Sequence, residues 1–145
     1  MRYRDVIEAL DAAGVRYVVV GGVAMVLRGC QRETADLDLV VDAAPGPAER
    51  VMGALLGAGF VPTLPLGLGE VSVLRLLDAG GREVDLFARF EIPFEELWAG
   101  SGLVTTDGMA VRVACVAHLA DQKRRSARES DQRDAEMLEA LGSRD

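Results

Sequence analysis

Cysteine is scarce in this 145-residue chain, and its two thiols, Cys30 and Cys115, lie too far apart for a zinc or redox motif. We therefore expect two reduced thiols in a cytoplasmic protein. Long apolar runs are also lacking, since none approaches the roughly 20 residues that a membrane-spanning helix needs. Residues 1–11 contain no apolar segment of the kind found in a secretory signal. No membrane partner is expected.

Net positive charge is missing as well, because the chain carries a formal net charge of −7. Strong binding along a nucleic-acid backbone needs a basic surface, so it is not predicted. One exception is what we call the C-terminal basic stretch, namely Lys123, Arg124, Arg125 and Arg128. We interpret it as a solvated helix face, with Arg124 and Arg128 on one side of the helix. Any affinity for RNA should be weak and salt-dependent.

Helical and strand patterns alternate along the chain, which indicates an α/β protein. The length fits one domain over residues 1–145, and there is no repeat, low-complexity segment or linker. The predicted strands cover residues 17–20, 37–41, 71–77, 83–88 and 111–113, and the predicted helices begin at residues 3, 23, 48, 94, 116 and 131.

A pair of glycines separates the first predicted strand from the helix that follows it. Tyr17–Val20 is a short β-branched run, and Gly21 and Gly22 come directly after it. Glycine permits a tight turn and lets backbone amides approach a phosphate group. The same pair also fits a purely structural turn, and neither the dinucleotide fingerprint nor the P-loop motif is present.

Two carboxylates introduce the next strand. Asp36 and Asp38 are two residues apart, which on a strand places both on one face, while Leu37, Leu39 and Val41 face the core. Carboxylate oxygens at this spacing suit Mg²⁺, which completes its coordination with phosphate oxygens and water. The alternative interpretation is a solvent-facing pair on an edge strand.

A third acid favours the metal interpretation. Asp85 lies between apolar neighbours on the predicted strand 83–88, which is costly for a carboxylate unless it is paired or bound to metal. If this strand lies beside Leu37–Val41, three carboxylates converge opposite the Gly-Gly turn. Such a set is suited to two-metal phosphoryl chemistry. Glu83 shares the face of Asp85 and is the second choice for the third ligand.

The order of these features resembles the DNA polymerase β nucleotidyltransferase superfamily. It comprises Gly21-Gly22, a short helix, a basic residue, Thr34, Asp36-Leu37-Asp38 and a later strand aspartate, Asp85. Within the superfamily the chain is most similar to small AbiEii-like and related minimal nucleotidyltransferases. The resemblance implies a mixed β-sheet flanked by helices, with a helical C-terminal segment over residues 116–141. This segment looks like the family's ending through Lys123, Arg128, Asp131 and Asp134.

The resemblance also implies roles for individual residues. Gly21, Gly22 and Thr34 would contact the phosphates of a nucleoside triphosphate, and Lys123 would neutralise their charge. Asp36 and Asp38 would hold both metal ions, Mg²⁺ or Mn²⁺. Asp85 would hold one metal ion and help to deprotonate the acceptor hydroxyl.

The implied activity is transfer of a nucleoside monophosphate to an acceptor with release of pyrophosphate. The acceptor is left open among an RNA end, a protein and a small molecule, because no acceptor-binding domain is obvious. The alternative is a non-catalytic nucleotide-binding protein or antitoxin on the same fold, and relatives in toxin–antitoxin systems make a partner protein an expectation. Gly22 departs from the serine found in many family members, which removes one hydroxyl from the phosphate site.

Overall fold

Apolar periodicity accounts for most of the helices and strands in the computed structural model, which describes residues 1–142. The helices are α1 (Arg4–Ala12), α2 (Gly21–Leu27), α3 (Pro45–Gly57), α4 (Phe94–Gly100), α5 (Val116–Arg124) and α6 (Glu129–Gly142). The strands are β1 (Tyr17–Val20), β2 (Leu37–Val41), β3 (Val61–Pro62), β4 (Val73–Leu77), β5 (Glu83–Phe87), β6 (Gly102–Thr106) and β7 (Met109–Val113), with a short 3₁₀ turn at Leu68–Glu70.

All seven strands form one mixed sheet in the order β3-β4-β5-β2-β1-β7-β6. β2 runs parallel to β5, and β1 runs parallel to β7, whereas the other neighbours are antiparallel. All four residues of β1 are buried, as its continuous apolar sequence predicts for a strand inside the sheet. The α/β class, the mixed sheet and the helical C-terminus are confirmed.

The C-terminal segment consists of two helices that pack against each other, α5 and α6. The predicted helix over residues 116–128 is too long, because α5 ends at Arg124. Arg128 lies before α6, so the prediction that Arg124 and Arg128 share one side of a single helix is wrong. The single domain over residues 1–145 stays a prediction, and residues 143–145 lie outside the described part of the chain.

Three further differences from the sequence prediction have local causes. α3 begins at Pro45 rather than residue 48, since proline is well tolerated in the first helical turn. β6 was not predicted, and it pairs with β7 around the turn at Asp107-Gly108, where both residues have positive φ. α2 begins at Gly21, so both glycines belong to its first turn. Within residues 1–142 no helix combines the length and the apolar character needed to cross a membrane.

Candidate active site

The carboxylates meet because β5 lies beside β2 in parallel register. Asp38 and Asp85 are register partners, so their side chains leave the same face of the sheet. Asp36 precedes the first residue of β2 and is exposed, whereas Asp85 is buried, with 8% of its surface accessible. Adjacency of these two strands is the condition on which the predicted convergence depended.

Four acids form the resulting cluster. Asp36, Glu83 and Asp85 each offer a carboxylate oxygen, and these oxygens lie within 4.8 Å of one another. Asp38 is not in that tight group of three, but it is the register partner of Asp85 on the same face of the sheet. Glu83, only the second choice from the sequence, is therefore as close to Asp36 and Asp85 as a shared metal ion would require.

Burial and mutual repulsion raise the pKa of two acids in this cluster. Burial, followed by the charges of Asp85, Asp36 and Glu83, raises the pKa of Asp38 to about 7. The pKa of Glu83 is also raised, first by burial, then by a hydrogen bond with Asp36 and by the charge of Asp85. Clustered oxygen donors that resist ionisation together are a set that a divalent cation would stabilise.

Within residues 1–142, one cationic side chain forms ion pairs with the cluster. Arg75 on β4 is the register partner of Asp85, and its Nε donates a hydrogen bond to Asp85 Oδ1 at 3.1 Å. The same nitrogen lies 3.1 Å from Glu83 Oε2 as an ion pair. Arg75 was not predicted as a site residue, although counting outward from the turn at residues 78–81 pairs Leu77 with Glu83 and hence Arg75 with Asp85.

The Tyr3 hydroxyl group donates to backbone carbonyl groups on both segments that carry the acids. Its hydroxyl oxygen lies 2.5 Å from the carbonyl oxygen of Ala35 and 3.0 Å from that of Glu83. It therefore links the loop before β2 to the first residue of β5. Tyr3 itself is buried beside α1, so it fixes the spacing of the two acid-bearing strands. Its tyrosine side chain gave no separate sequence signal.

The two glycines lie directly against the site. Gly21 has φ +69°, and a Cβ added there would lie 2.1 Å from Asp38 Oδ2. A Cβ added at Gly22 would lie 2.5 Å from Thr34 Oγ1. Gly21 therefore makes room for the Asp38 carboxyl group and Gly22 makes room for Thr34, so both glycines bring the first turn of α2 close to residues predicted to bind ligands.

Lys123 is less free than the sequence suggested. Its Nζ lies 3.3 Å from Asp131 Oδ1 and 3.2 Å from Asp134 Oδ2, and only 15% of its side chain is exposed. Asp134 also pairs with Arg32 at 2.6 Å, and Arg32 Nε lies 3.8 Å from a Cβ placed on Gly22. Lys123 and Arg32 share the partner Asp134, so Lys123 lies on the Gly22 side of the site. It does not contact the four acids of the cluster.

The rest of the C-terminal basic stretch is paired too. Arg124 bonds to Glu139 at 2.7 Å, Arg125 pairs with Asp121 at 3.0 Å, and Arg128 pairs with Asp131 at 3.0 Å. Their charges are largely matched by neighbouring carboxylates.

Asp131 should stabilise this helix pair in a pH-dependent way. Hydrogen bonds from Ser126, Arg128 and Lys123 lower its pKa to about 2. A lowered pKa contributes stability above the unfolded value near 4, and this stability is lost as the pH falls from about 4 to about 2. Asp131→Asn should cost about 1 kcal/mol at pH 7, less than the full shift implies, because Arg128 is exposed and screened.

Urea unfolding at pH 7 and pH 2.5 measures this effect, and the difference between Asp131→Asn and wild type should shrink at the lower pH. Glu129→Gln is the control, since Glu129 is exposed and 3.9 Å from Arg133, and should change stability by less than about 0.5 kcal/mol. An equal cost of Asp131→Asn at both pH values would show that the carboxylate charge is not what matters.

An apolar hollow of about 270 Å³ lies next to the loop that leads to Asp36, although none of the four clustered acids lines it. Its lining includes Tyr3, Val23, Val26, Thr34 and Ala35, the residue that precedes Asp36. A larger hollow of about 650 Å³, between Arg28 and Glu139, touches none of the predicted site residues. A further hollow of about 670 Å³ is lined by Val26, Arg32, Glu33, Thr34 and Ala35, so two hollows adjoin the loop that leads to Asp36.

Comparison with known proteins identifies the fold. No protein-family model matches the chain, and no curated protein matches it. The lincosamide antibiotic adenylyltransferase LnuA, in its lincomycin-bound structure, aligns with a TM-score of 0.68 and 18% identity, over 94% of this chain and 93% of its own. A candidate nucleotidyltransferase of Thermotoga maritima, TM1012, aligns with a TM-score of 0.64 and 17% identity, over 99% and 92%.

A third similar structure is ANT(2")-Ia in complex with adenylyl-2"-tobramycin, with a TM-score of 0.65 and 16% identity, over 99% of this chain and 94% of its own. At these identities the likeness is one of fold. The chain therefore shares the fold of these nucleotidyltransferases, over nearly the whole length of the three proteins.

Proposed function

We propose that this chain is a metal-dependent nucleotidyltransferase that moves a nucleoside monophosphate from a nucleoside triphosphate to a hydroxyl group of an acceptor. The observation that supports this most strongly is the meeting of Asp36, Asp38, Glu83 and Asp85 beside the first turn of α2. A scaffold has no need for four clustered carboxylates, in which burial and neighbouring negative charge raise the pKa of Asp38 and of Glu83. The fold that the chain shares with two adenylyltransferases also supports this proposal.

The donor set fits Mg²⁺ or Mn²⁺, which prefer carboxylate oxygens. Asp36, Asp38 and Asp85 would hold the ions, with Glu83 as a further ligand. When bound, the cations would neutralise the charge that develops on the phosphate oxygens. Gly21 and Gly22 would turn backbone amides towards the triphosphate, and Thr34 would add a hydroxyl group beside them.

In the proposed reaction the acceptor oxygen forms a bond to the α-phosphorus, and the bond from that phosphorus to the bridging oxygen breaks. Pyrophosphate leaves with the bond electrons. The acceptor proton passes to a carboxylate oxygen of Asp85, which the sheet holds beside Asp38. Lys123 and Arg32 lie on the Gly22 side, where they would offset the charge of the triphosphate.

For the acceptor we favour a small molecule or a protein over an RNA end. The chain is acidic overall, and each residue of the C-terminal basic stretch is paired with a carboxylate. The apolar hollow next to Ala35 is of a size for part of a small ligand. The finer placement among AbiEii-like proteins, and with it a toxin–antitoxin partner, stays a prediction.

Binding to tRNA should accordingly be weak. We expect anisotropy titrations at two salt concentrations to give a low affinity, because few phosphates are neutralised, and this electrostatic affinity should fall further at the higher salt concentration. Changing Arg124, Arg125 and Arg128 together to Ala should remove the remaining affinity while Mg·ATP still binds. Tight binding that ignores both salt and these substitutions would contradict the assignment.

The activity itself is tested with each of the four α-labelled triphosphates, Mg²⁺ or Mn²⁺, and lysate fractions that separate RNA, protein and small molecules. We expect label in one fraction with wild type and none with Asp36→Asn. The alternative, a non-catalytic nucleotide-binding or antitoxin-like protein, predicts triphosphate binding without transfer of label to any fraction.

A further inference from the structure

A row of neighbouring residues crosses the sheet through Asp38 and Asp85, and the next residue in this row is positively charged. Arg75, Asp85 and Asp38 are successive register partners on β4, β5 and β2. Register partners project from the same face, so the fold itself aligns one guanidinium group with the acids. Leu74 and Leu76, on either side of Arg75, are buried and fix which way its side chain points.

The contacts of Arg75 involve the lone pairs that a metal ion would need. Its Nε is 3.1 Å from Asp85 Oδ1 and 3.1 Å from Glu83 Oε2. Both acids belong to the group whose oxygens could share one ion. Within residues 1–142, Arg75 is the one Lys or Arg residue that forms an ion pair with these acids.

Its exposure shows that the guanidinium group lies at the rim of the site. The Arg75 side chain is 56% exposed, whereas the Asp85 side chain is 11% exposed. A long side chain at the rim can leave Asp85 without disturbing the core, because only its stem lies against the strand. A fully buried arginine would be fixed in place by its packing.

We propose that Arg75 is a positioning residue that acts as a built-in countercharge. It holds Asp85 and Glu83 in place before a metal ion binds, and it competes with that ion for Asp85 Oδ1. Arg75 thereby lowers the affinity of the free protein for divalent cations, so that metal loading depends on the triphosphate arriving with it. This inference rests on the proposed function of the acid cluster.

The test is Mn²⁺ binding to the full chain without nucleotide, measured by electron paramagnetic resonance. A unit charge about 6 Å from a divalent ion, in a water-like dielectric, corresponds to a factor of about ten in affinity. Arg75→Gln should therefore tighten Mn²⁺ binding about tenfold, while Arg75→Lys, which keeps the charge, should stay within about threefold of wild type. Arg50→Gln, which removes an exposed charge on α3, is the matched control and should change nothing.

Unchanged or weaker Mn²⁺ binding in Arg75→Gln would overturn the countercharge role. If that variant does not fold, Arg75→Gln with Glu83→Gln is compared with Glu83→Gln alone, and the double variant should bind Mn²⁺ more tightly. Failure of the proposed function looks different, since Mn²⁺ binding would then survive Asp38→Asn. A purely structural role for Arg75 would lower the melting temperature and leave Mn²⁺ affinity unchanged.

Discussion

Asp38→Asn is expected to abolish nucleotidyl transfer, by at least about 100-fold, and to raise the melting temperature of the metal-free protein at pH 8. The loss follows from removing a metal ligand without changing side-chain volume. The rise in melting temperature follows from the raised pKa of Asp38, which is about 7 in the folded chain against an ordinary value of 3.8.

The sign of the stability effect can be worked out from that shift. Between about pH 4 and pH 7 the folded state holds a proton on Asp38 that the unfolded chain has released, so stability falls as the pH rises through this window. Above pH 7 the full penalty is up to about 4 kcal/mol, at about 1.4 kcal/mol for each pKa unit. Asparagine carries no charge at any of these pH values, and the melting temperature should rise by roughly 5 °C or more.

Thermal melts at pH 5 and pH 8 without metal, together with a transfer assay, separate the two effects. Asp36→Asn should lose transfer without the gain in stability, because Asp36 is exposed. Asp121→Asn, an exposed residue paired with Arg125, is the control that should keep transfer and melting temperature close to wild type. Transfer by Asp38→Asn within about threefold of wild type would contradict its role as a ligand.

Gly21→Ala should damage both the fold and the site. An alanine at φ +69° is strained by roughly 1–2 kcal/mol, and its Cβ would lie 2.1 Å from Asp38 Oδ2. The Asp38 carboxyl group would therefore have to move away from Asp85. We expect the melting temperature to fall by roughly 5 °C and transfer to be lost.

Substitutions at two other glycines, Gly22 and Gly53, provide comparisons for Gly21→Ala in the same assays. A Cβ at Gly22 would lie 2.5 Å from Thr34 Oγ1 and 3.8 Å from Arg32 Nε. Thr34 belongs to an exposed loop that can shift, so Gly22→Ala should weaken Mg·ATP binding more than folding. Gly53→Ala meets nothing within 4 Å in the middle of α3, and it should stabilise the chain by about 0.5–1 kcal/mol without affecting binding. Normal Mg·ATP affinity in folded Gly22→Ala would assign Gly22 a structural role only.

The parts of the fold that were predicted from sequence are those in which one local pattern suffices. The buried faces of α1 and the continuous burial of β1 follow from their apolar spacing. The hairpin of β4 and β5 follows from the Asp-Ala-Gly-Gly turn between them. The acids of β2 and β5 were recognised because carboxylates among apolar strand residues are unusual.

The parts that were missed depend on pairing between distant segments. β6 has weak alternation, and only its pairing with β7 makes it a strand. α5 ends at Arg124 and packs against α6, a long-range contact that helical periodicity does not reveal. Arg75 was missed because its importance comes from the acid opposite it on β5. Asp131 and Asp134 were noted beside Lys123 in the sequence, but their ion pairs with it were not predicted.

The most direct test of whether the acid cluster is the catalytic centre is anomalous scattering from a crystal grown with Mn²⁺ and a non-hydrolysable nucleoside triphosphate. We predict a manganese peak bonded to carboxylate oxygens of Asp36, Asp38 and Asp85, with the triphosphate between that peak and the backbone of Gly21 and Gly22. A triphosphate bound elsewhere, or manganese that avoids these three aspartates, would contradict the assignment of this cluster as the catalytic centre.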